Sequence, residues 1–161
     1  MISSIVRVQV NVPKLSVKAK ELVNFIMNEL STVDYDTSLK SYKYQKGKTP
    51  QDIFQVQFVI ISEKMIDDYI KFLITVEFTT DNAKLIKEDK TPILVGKSKL
   101  VFLAQIETDY DKRWSTNKYL HFLKKIFEKY VYNKRIDELS DKLEDEVFDL
   151  INSVKAKINV K

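Results

Sequence analysis

The sequence predicts an α+β domain: a curved antiparallel sheet of 5–6 strands, one short N-terminal helix, and a long C-terminal helix packed on one sheet face. Three observations carry this. Several segments alternate apolar and polar residues with a period of two, the pattern of half-buried strands. Consecutive strands are joined by short links rich in turn residues, which favours antiparallel pairing. And residues 116–160 contain neither Gly nor Pro and repeat apolar residues in steps of three and four, the period of an amphipathic helix.

Taken in order, Ile5 to Val12 alternates, with Val6, Val8, Val10 and Val12 on one face, and Pro13 ends it. Ser16 stands where an N-cap belongs. Ala19, Leu22, Val23, Ile26, Leu30 and Val33 then form one stripe, so the first helix is expected over 16–32. Asp34 to Thr37 reads as a turn and Leu39 to Gln45 as a strand. Gly47, Pro50 and Asp52 mark the next turn. Phe54, Val56, Phe58 and Ile60 alternate with glutamines, and Ile70, Phe72, Ile74, Val76 and Phe78 share the face of a second strong strand. Between Ala83 and Gly96 the pattern is irregular; a short strand at 85–87 and a loop through Pro92 are expected. Leu100, Phe102, Ala104 and Ile106 mark the last strand. A polar loop over 109–114 follows, and Ser115, Thr116 or Asn117 caps the final helix.

That helix has one ridge at Tyr119, Leu123, Ile126 and Tyr130, with Leu120, Phe127 and Val131 beside it. Tyr132, Ile136, Leu139, Leu143, Val147, Leu150, Val154 and Ile158 continue it. At ~1.5 Å per residue a straight helix of this length reaches roughly 60 Å, whereas a compact domain of this size is only about 40 Å across. The distal half, 136–160, is therefore expected either to project from the single domain spanning 1–161 and mediate assembly through Leu139, Leu143, Val147, Leu150, Val154 and Ile158, or to fold back at a bend near Asn133–Lys134.

The element order resembles the helix-grip superfamily, which includes START domains and birch-pollen-allergen-like proteins. The resemblance rests on element order over most of the chain. It implies a curved sheet wrapping a C-terminal helix around an apolar cavity. The glycine-rich loop of the pollen-allergen branch is missing, and one helix stands where the superfamily usually has a pair.

Composition narrows the chemistry. There is no cysteine, so disulfides, thiolate nucleophiles and Cys-ligated zinc are excluded. The two glycines, Gly47 and Gly96, lie far apart, which removes phosphate-cradling loops and dinucleotide fingerprints. His121 is the only histidine and falls on the polar side of its helix, among Lys124, Lys125 and Glu128. The net charge of +4 comes from 24 Lys and only 3 Arg. Lysine is a solvated point charge and lacks the planar fork that grips phosphate. The Lys-rich, Gly-poor composition is thermophile-like. Nothing near the N-terminus reads as a signal peptide, and no apolar run is long enough to span a bilayer, so a cytoplasmic protein is expected.

Four constellations carry possible chemistry. Asp-Tyr-Asp occurs at 34–36 and 109–111; joined in space the two copies would bind a hard cation, while separately each is turn chemistry. Lys40, Tyr42, Lys43, Tyr44, Lys46 and Lys48 interleave base and aromatic, a pattern suited to single-stranded nucleic acid but equally to a lysine-protected edge strand. Charge is blocked along the final helix. Residues 118–135 hold six cations and one carboxylate, and residues 136–149 seven carboxylates and one lysine. Trp114 sits between the last strand and the final helix, either at a cavity mouth or as a packing anchor.

No convergent catalytic set, metal-ligand set or cofactor motif is present. The reading favoured by the sequence is a non-catalytic binding protein with an apolar small molecule between sheet and C-terminal helix. The expected lining is Phe58, Phe72, Ile74, Phe102, Trp114, Tyr119, Leu123 and Phe127. The alternatives are a homo-oligomeric scaffold built on the distal helix and, more weakly, nucleic-acid binding through residues 40–48.

Overall fold

In the computed structural model, which describes residues 1–45, 55–88, 90–114 and 117–158, the alternating segments form one open antiparallel sheet. Its strands are β1 (Ile2–Asn11), β2 (Lys14–Leu15), β3 (Asp36–Gln45), β4 (Gln55–Met65), β5 (Ile70–Glu88) and β6 (Thr91–Thr108). The order is β1-β6-β5-β4-β3, and the short β2 pairs with β6 beyond the end of β1. The helices are α1 (Ala19–Thr32), α2 (Lys118–Phe127) and α3 (Asn133–Ile158), with a π-helical turn at Glu128–Tyr132 between the last two. The α+β class, the antiparallel sheet and both helices are as the periodicities predict.

Strand alternation sets which face is buried. Phe58, Ile60, Phe72, Ile74, Val76, Phe78, Leu100, Phe102, Ala104 and Ile106 all point to one side and are essentially inaccessible. Against them lie Leu22, Val23, Ile26 and Leu30 of α1 and Leu143, Val147, Leu150, Ile151, Val154 and Ile158 of α3, in one continuous apolar cluster. Helix α1 packs on β3 and β4, α3 on β1 and β6, and the two helices touch each other. Each large apolar side chain taken out of water in this way contributes about 1.5–3 kcal/mol.

The structure departs from the sequence-based expectation in three places. Helix α1 begins at Ala19, because Lys14–Leu15 pairs with β6 first; Lys18, not Ser16, occupies the N-cap, and no side chain caps the first turn. Over 83–96 the expected strand at 85–87 is present, but the expected loop through Pro92 is strand as well. The β5–β6 ladder continues to the pair Glu88–Thr91, interrupted by a bulge between Asp81 and Lys84. One extra residue in β5 there breaks the alternation, which is why the period of two was lost. Gly96 lies opposite the bulge, and a Cβ at that position would stand 2.5 Å from the Ala83 Cα. Glycine is needed for this close backbone approach.

The third departure is the largest. The distal half of the final helix neither projects nor offers its stripe for assembly. Leu143, Val147, Leu150, Val154 and Ile158 are between 0% and 5% exposed inside the chain's own core, and Leu139 packs against the same cluster. It is the proximal half that presents apolar residues outward: Tyr119 is 67% exposed, Phe122 60%, Ile126 41% and Tyr130 74%. The spacing explains the inversion: the step from Tyr130 to Tyr132 is two residues, so at ~100° per residue the two apolar runs lie roughly 120° apart even on a regular helix. The π-helical turn at Glu128–Tyr132 stands at the junction of the two runs. The one stripe read along the sequence is divided into an outward face on α2 and an inward face on α3.

Candidate functional site

A cleft of about 470 Å³ opens where the β5–β6 hairpin extends past the last β4 pairs. Leu15, Val56 and Leu94, each under 10% exposed, form its floor. Val17 and Ala19 bring in the start of α1, and Tyr42 and Tyr44 bring in β3. Leu85 and Tyr44 are about half exposed and form the rim, beside Lys18 and Lys20. The sequence dictates this arrangement locally. Alternation along β3 puts Tyr42 and Tyr44 on the same face. The bulge after Asp81 lets Leu85 and Leu94 pair at the hairpin's far end, and Leu15 in turn pairs with Leu94. Burial pushes the Tyr42 phenol above its ordinary range, with the neighbouring Tyr44 adding to the effect. Chemically the cleft offers apolar walls, two phenols and two ammonium groups.

The sheet's opposite end holds the polar and aromatic groups that fix the final helix. The Lys124 ammonium donates to Asp109 Oδ2 at 3.0 Å, with the two side chains 10% and 2% exposed. The Trp114 backbone N–H donates to Asp109 Oδ1, and the Tyr69 hydroxyl donates to Glu128 Oε1 at 2.5 Å. Asp67 accepts from the backbone N–H groups of Tyr69 and Ile70 and from Arg135. Trp114 stacks on Phe127 at 5.4 Å between centroids, and Tyr69 meets Trp114, Phe127 and Tyr132. These groups satisfy one another, which makes the cluster a clamp on the π-helical turn. Farther along, Glu146 of α3 accepts from the Tyr35 hydroxyl at 2.7 Å and from the Lys64 ammonium at 2.9 Å.

Tyr35 and Tyr69 are both buried, and both phenols are held well above the usual value of 10.0: burial is the largest cause for each, followed by the adjacent carboxylates, Glu146 and Glu128. The unfolded chain therefore loses these protons first. Their contribution to stability is whole below pH 10 and is lost as pH rises beyond it, by up to about 1.4 kcal/mol per pH unit for each phenol. Urea unfolding across the alkaline range should show this decline, and Tyr35→Phe should flatten it. An unchanged slope in Tyr35→Phe would count against burial as the cause.

The residues expected to line a cavity under the C-terminal helix are not brought together. Phe58, Phe72, Ile74 and Phe102 are packed in the core beneath α1 and α3; Trp114 and Phe127 belong to the clamp; Leu123 is half-buried and Tyr119 exposed on α2. None of the eight lines the cleft described above. The reason is that α3, whose apolar stripe lies on another side of the helix from that of α2, covers the sheet in the role the sequence assigned to α2. Of the Lys–Tyr strand, Tyr42 and Tyr44 line the cleft, Lys40 and Lys43 are exposed on the edge strand, and Lys46 and Lys48 lie outside the described residues. The two Asp-Tyr-Asp copies do not meet: β4 and β5 separate them, so about 14 Å lies between the strands that carry them. His121 is exposed.

Sequence reasoning missed the cleft residues Leu15, Val17, Leu85 and Leu94. Their signal was present as apolar residues in stretches read as a short strand, a loop and the start of a helix, but only pairing across β2, β6 and β5 unites them. The chain matches no family model, no curated protein and no solved structure. Among the described residues, no helix is long and apolar enough to cross a membrane.

Proposed function

We propose that this is a cytosolic, non-catalytic binding protein for an apolar small molecule with an anionic end. The cleft beside the start of α1 carries the reading. Its volume lies in the range of small-molecule sites, and apolar walls with a few convergent polar groups are the usual composition of such sites. Removal of the ligand's apolar area from water at Leu15, Val56 and Leu94 supplies the affinity. Lys18 and Lys20 at the edge attract a carboxylate or sulfonate, and the Tyr42 phenol offers a hydrogen bond. The ligand class inferred from the helix-grip resemblance is retained; its place moves from the sheet–helix interface to the end of the sheet. Assembly through the distal helix is not part of the proposal, because that stripe is covered within the chain.

Anilinonaphthalene sulfonate, an apolar dye with an anionic group, tests the proposal. It should bind the native protein with enhanced fluorescence. Ala19→Phe combined with Leu85→Trp fills the cleft from positions outside the central core, so dye uptake should vanish while the unfolding midpoint holds. Lys18→Glu with Lys20→Glu should weaken binding of the anionic dye roughly tenfold and leave a neutral apolar dye unaffected. Uptake that survives Ala19→Phe with Leu85→Trp would sink the assignment.

A further inference from the structure

We infer that the outer face of α2 docks the protein onto an anionic lipid surface. This face lies at the opposite end of the sheet from the cleft and rests on separate observations. Tyr119, Phe122 and Ile126 of α2 and Tyr130 of the π-helical turn recur at helical spacing and are 41–74% exposed, a contiguous apolar strip that no other element among the described residues covers. Exposed apolar residues scattered singly are ordinary, but a continuous strip along one helix marks an interaction surface.

Charge identifies the partner. Lys118, Lys125 and Lys129 are exposed and flank the strip. Between Lys112 and Arg135 the sequence contains a single carboxylate, Glu128, and it is engaged with Tyr69 and Lys124 toward the body. The outward surface of α2 is thus apolar and cationic, with no acidic group. A basic amphipathic helix with aromatic residues on its apolar face is suited to lie in the headgroup region of a membrane. Tyrosine and phenylalanine rings enter the acyl boundary, and lysine stems extend to the phosphates. The opposite side of α2 is already held by the Lys124–Asp109 pair and the Trp114–Phe127 stack, so the helix is presented in a fixed orientation.

A second copy of the chain fits this face poorly. Two α2 strips packed on each other would bring their lysine rows together. The exposed carboxylates of α3, including Asp137, Glu138, Asp141 and Asp145, surround a face whose one exposed large apolar residue is Phe148. It offers charge without an apolar counterpart.

Flotation with vesicles of equimolar phosphatidylcholine and phosphatidylglycerol tests the inference on the full chain. The protein should float with these vesicles, float far less with pure phosphatidylcholine, and dissociate as salt is added. Changing Lys118, Lys125 and Lys129 together to Gln should lower partitioning roughly a hundredfold. Phe122→Asp with Ile126→Asp should abolish it, and because both positions are exposed the variant should keep its circular dichroism spectrum and unfolding midpoint. Equal flotation of wild type and Phe122→Asp/Ile126→Asp would overturn the inference. So would sedimentation showing a wild-type dimer that the same variant converts to monomer, since the strip would then be covered by a second copy.

Discussion

Leu143→Asp should leave no folded protein under ordinary conditions. Leu143 is fully buried between α3 and the sheet, in the same cluster as Val147, Leu150 and Ile151. The substitution removes a buried leucine side chain, which alone costs about 2–5 kcal/mol, and replaces it with a carboxyl group that finds no partner in an apolar site. The combined loss is comparable to the whole stability of a domain this size, about 5–15 kcal/mol. Leu150→Asp should act in the same direction. By contrast, Tyr119→Asp and Tyr130→Asp, at exposed positions of the same continuous helix, should change stability by no more than about 0.5 kcal/mol. Circular dichroism with urea titration separates the cases. A Leu143→Asp protein that remains folded as a soluble monomer would show that the distal helix lies outside the core, contrary to the packing described here.

Lys124→Met should cost about 3–5 kcal/mol, although the substitution is nearly isosteric. The Asp109 carboxylate is 2% exposed, and the Lys124 ammonium at 3.0 Å is its cationic partner in the clamp. Removing the ammonium takes a cation from beside a carboxylate that is almost wholly buried. Asp109→Asn repairs this, because asparagine tolerates the residue's positive φ of 53° and keeps an oxygen for the Trp114 N–H. The double variant Lys124→Met/Asp109→Asn should therefore be more stable than the sum of the two single losses implies, with a coupling of about 1 kcal/mol or more. Strict additivity in urea-derived free energies would mean that the two groups do not interact. Because the clamp holds α2, Lys124→Met should also raise amide exchange over residues 118–132, while exchange across β4 and β5 changes in step with global stability alone.

Much of this architecture is legible in the sequence, and the reasons are local. Period-two alternation in Val56–Ile60, Ile70–Phe78 and Leu100–Ile106 marks strands buried on one face, and those residues form the sheet's inner surface. Asn117 was among the expected caps, and its side chain does accept from the Tyr119 N–H at 3.0 Å. These features depend on residues a few positions apart, whose spacing along the chain reflects their spacing in space. The candidate site was not legible in this way. Its walls come from β2, α1, β3, β4, β5 and β6, and they meet only because Leu15 pairs with Leu94 and Leu94 with Leu85.

Composition and periodicity alone determined the fold class, the absence of cysteine chemistry, and the presence of a helix some forty residues long with a basic start and an acidic continuation. Tertiary structure decided which half of that helix is core and which is surface. On a helical wheel of 3.6 residues per turn the run Tyr119–Tyr130 and the run Tyr132–Ile158 fall on different sides, because the step from Tyr130 to Tyr132 is two residues, and the wheel does not say which run is buried. The π-helical turn at Glu128–Tyr132 joins the two runs, and it is held by groups distant in sequence: Tyr69 bonded to Glu128, and Asp67 bonded to Arg135 just beyond the turn. Leu143, Val147, Leu150, Val154 and Ile158 turn inward to close the sheet. Tyr119, Phe122, Ile126 and Tyr130 are left facing outward, because the face toward the body is taken by Lys124 and Phe127 in the clamp.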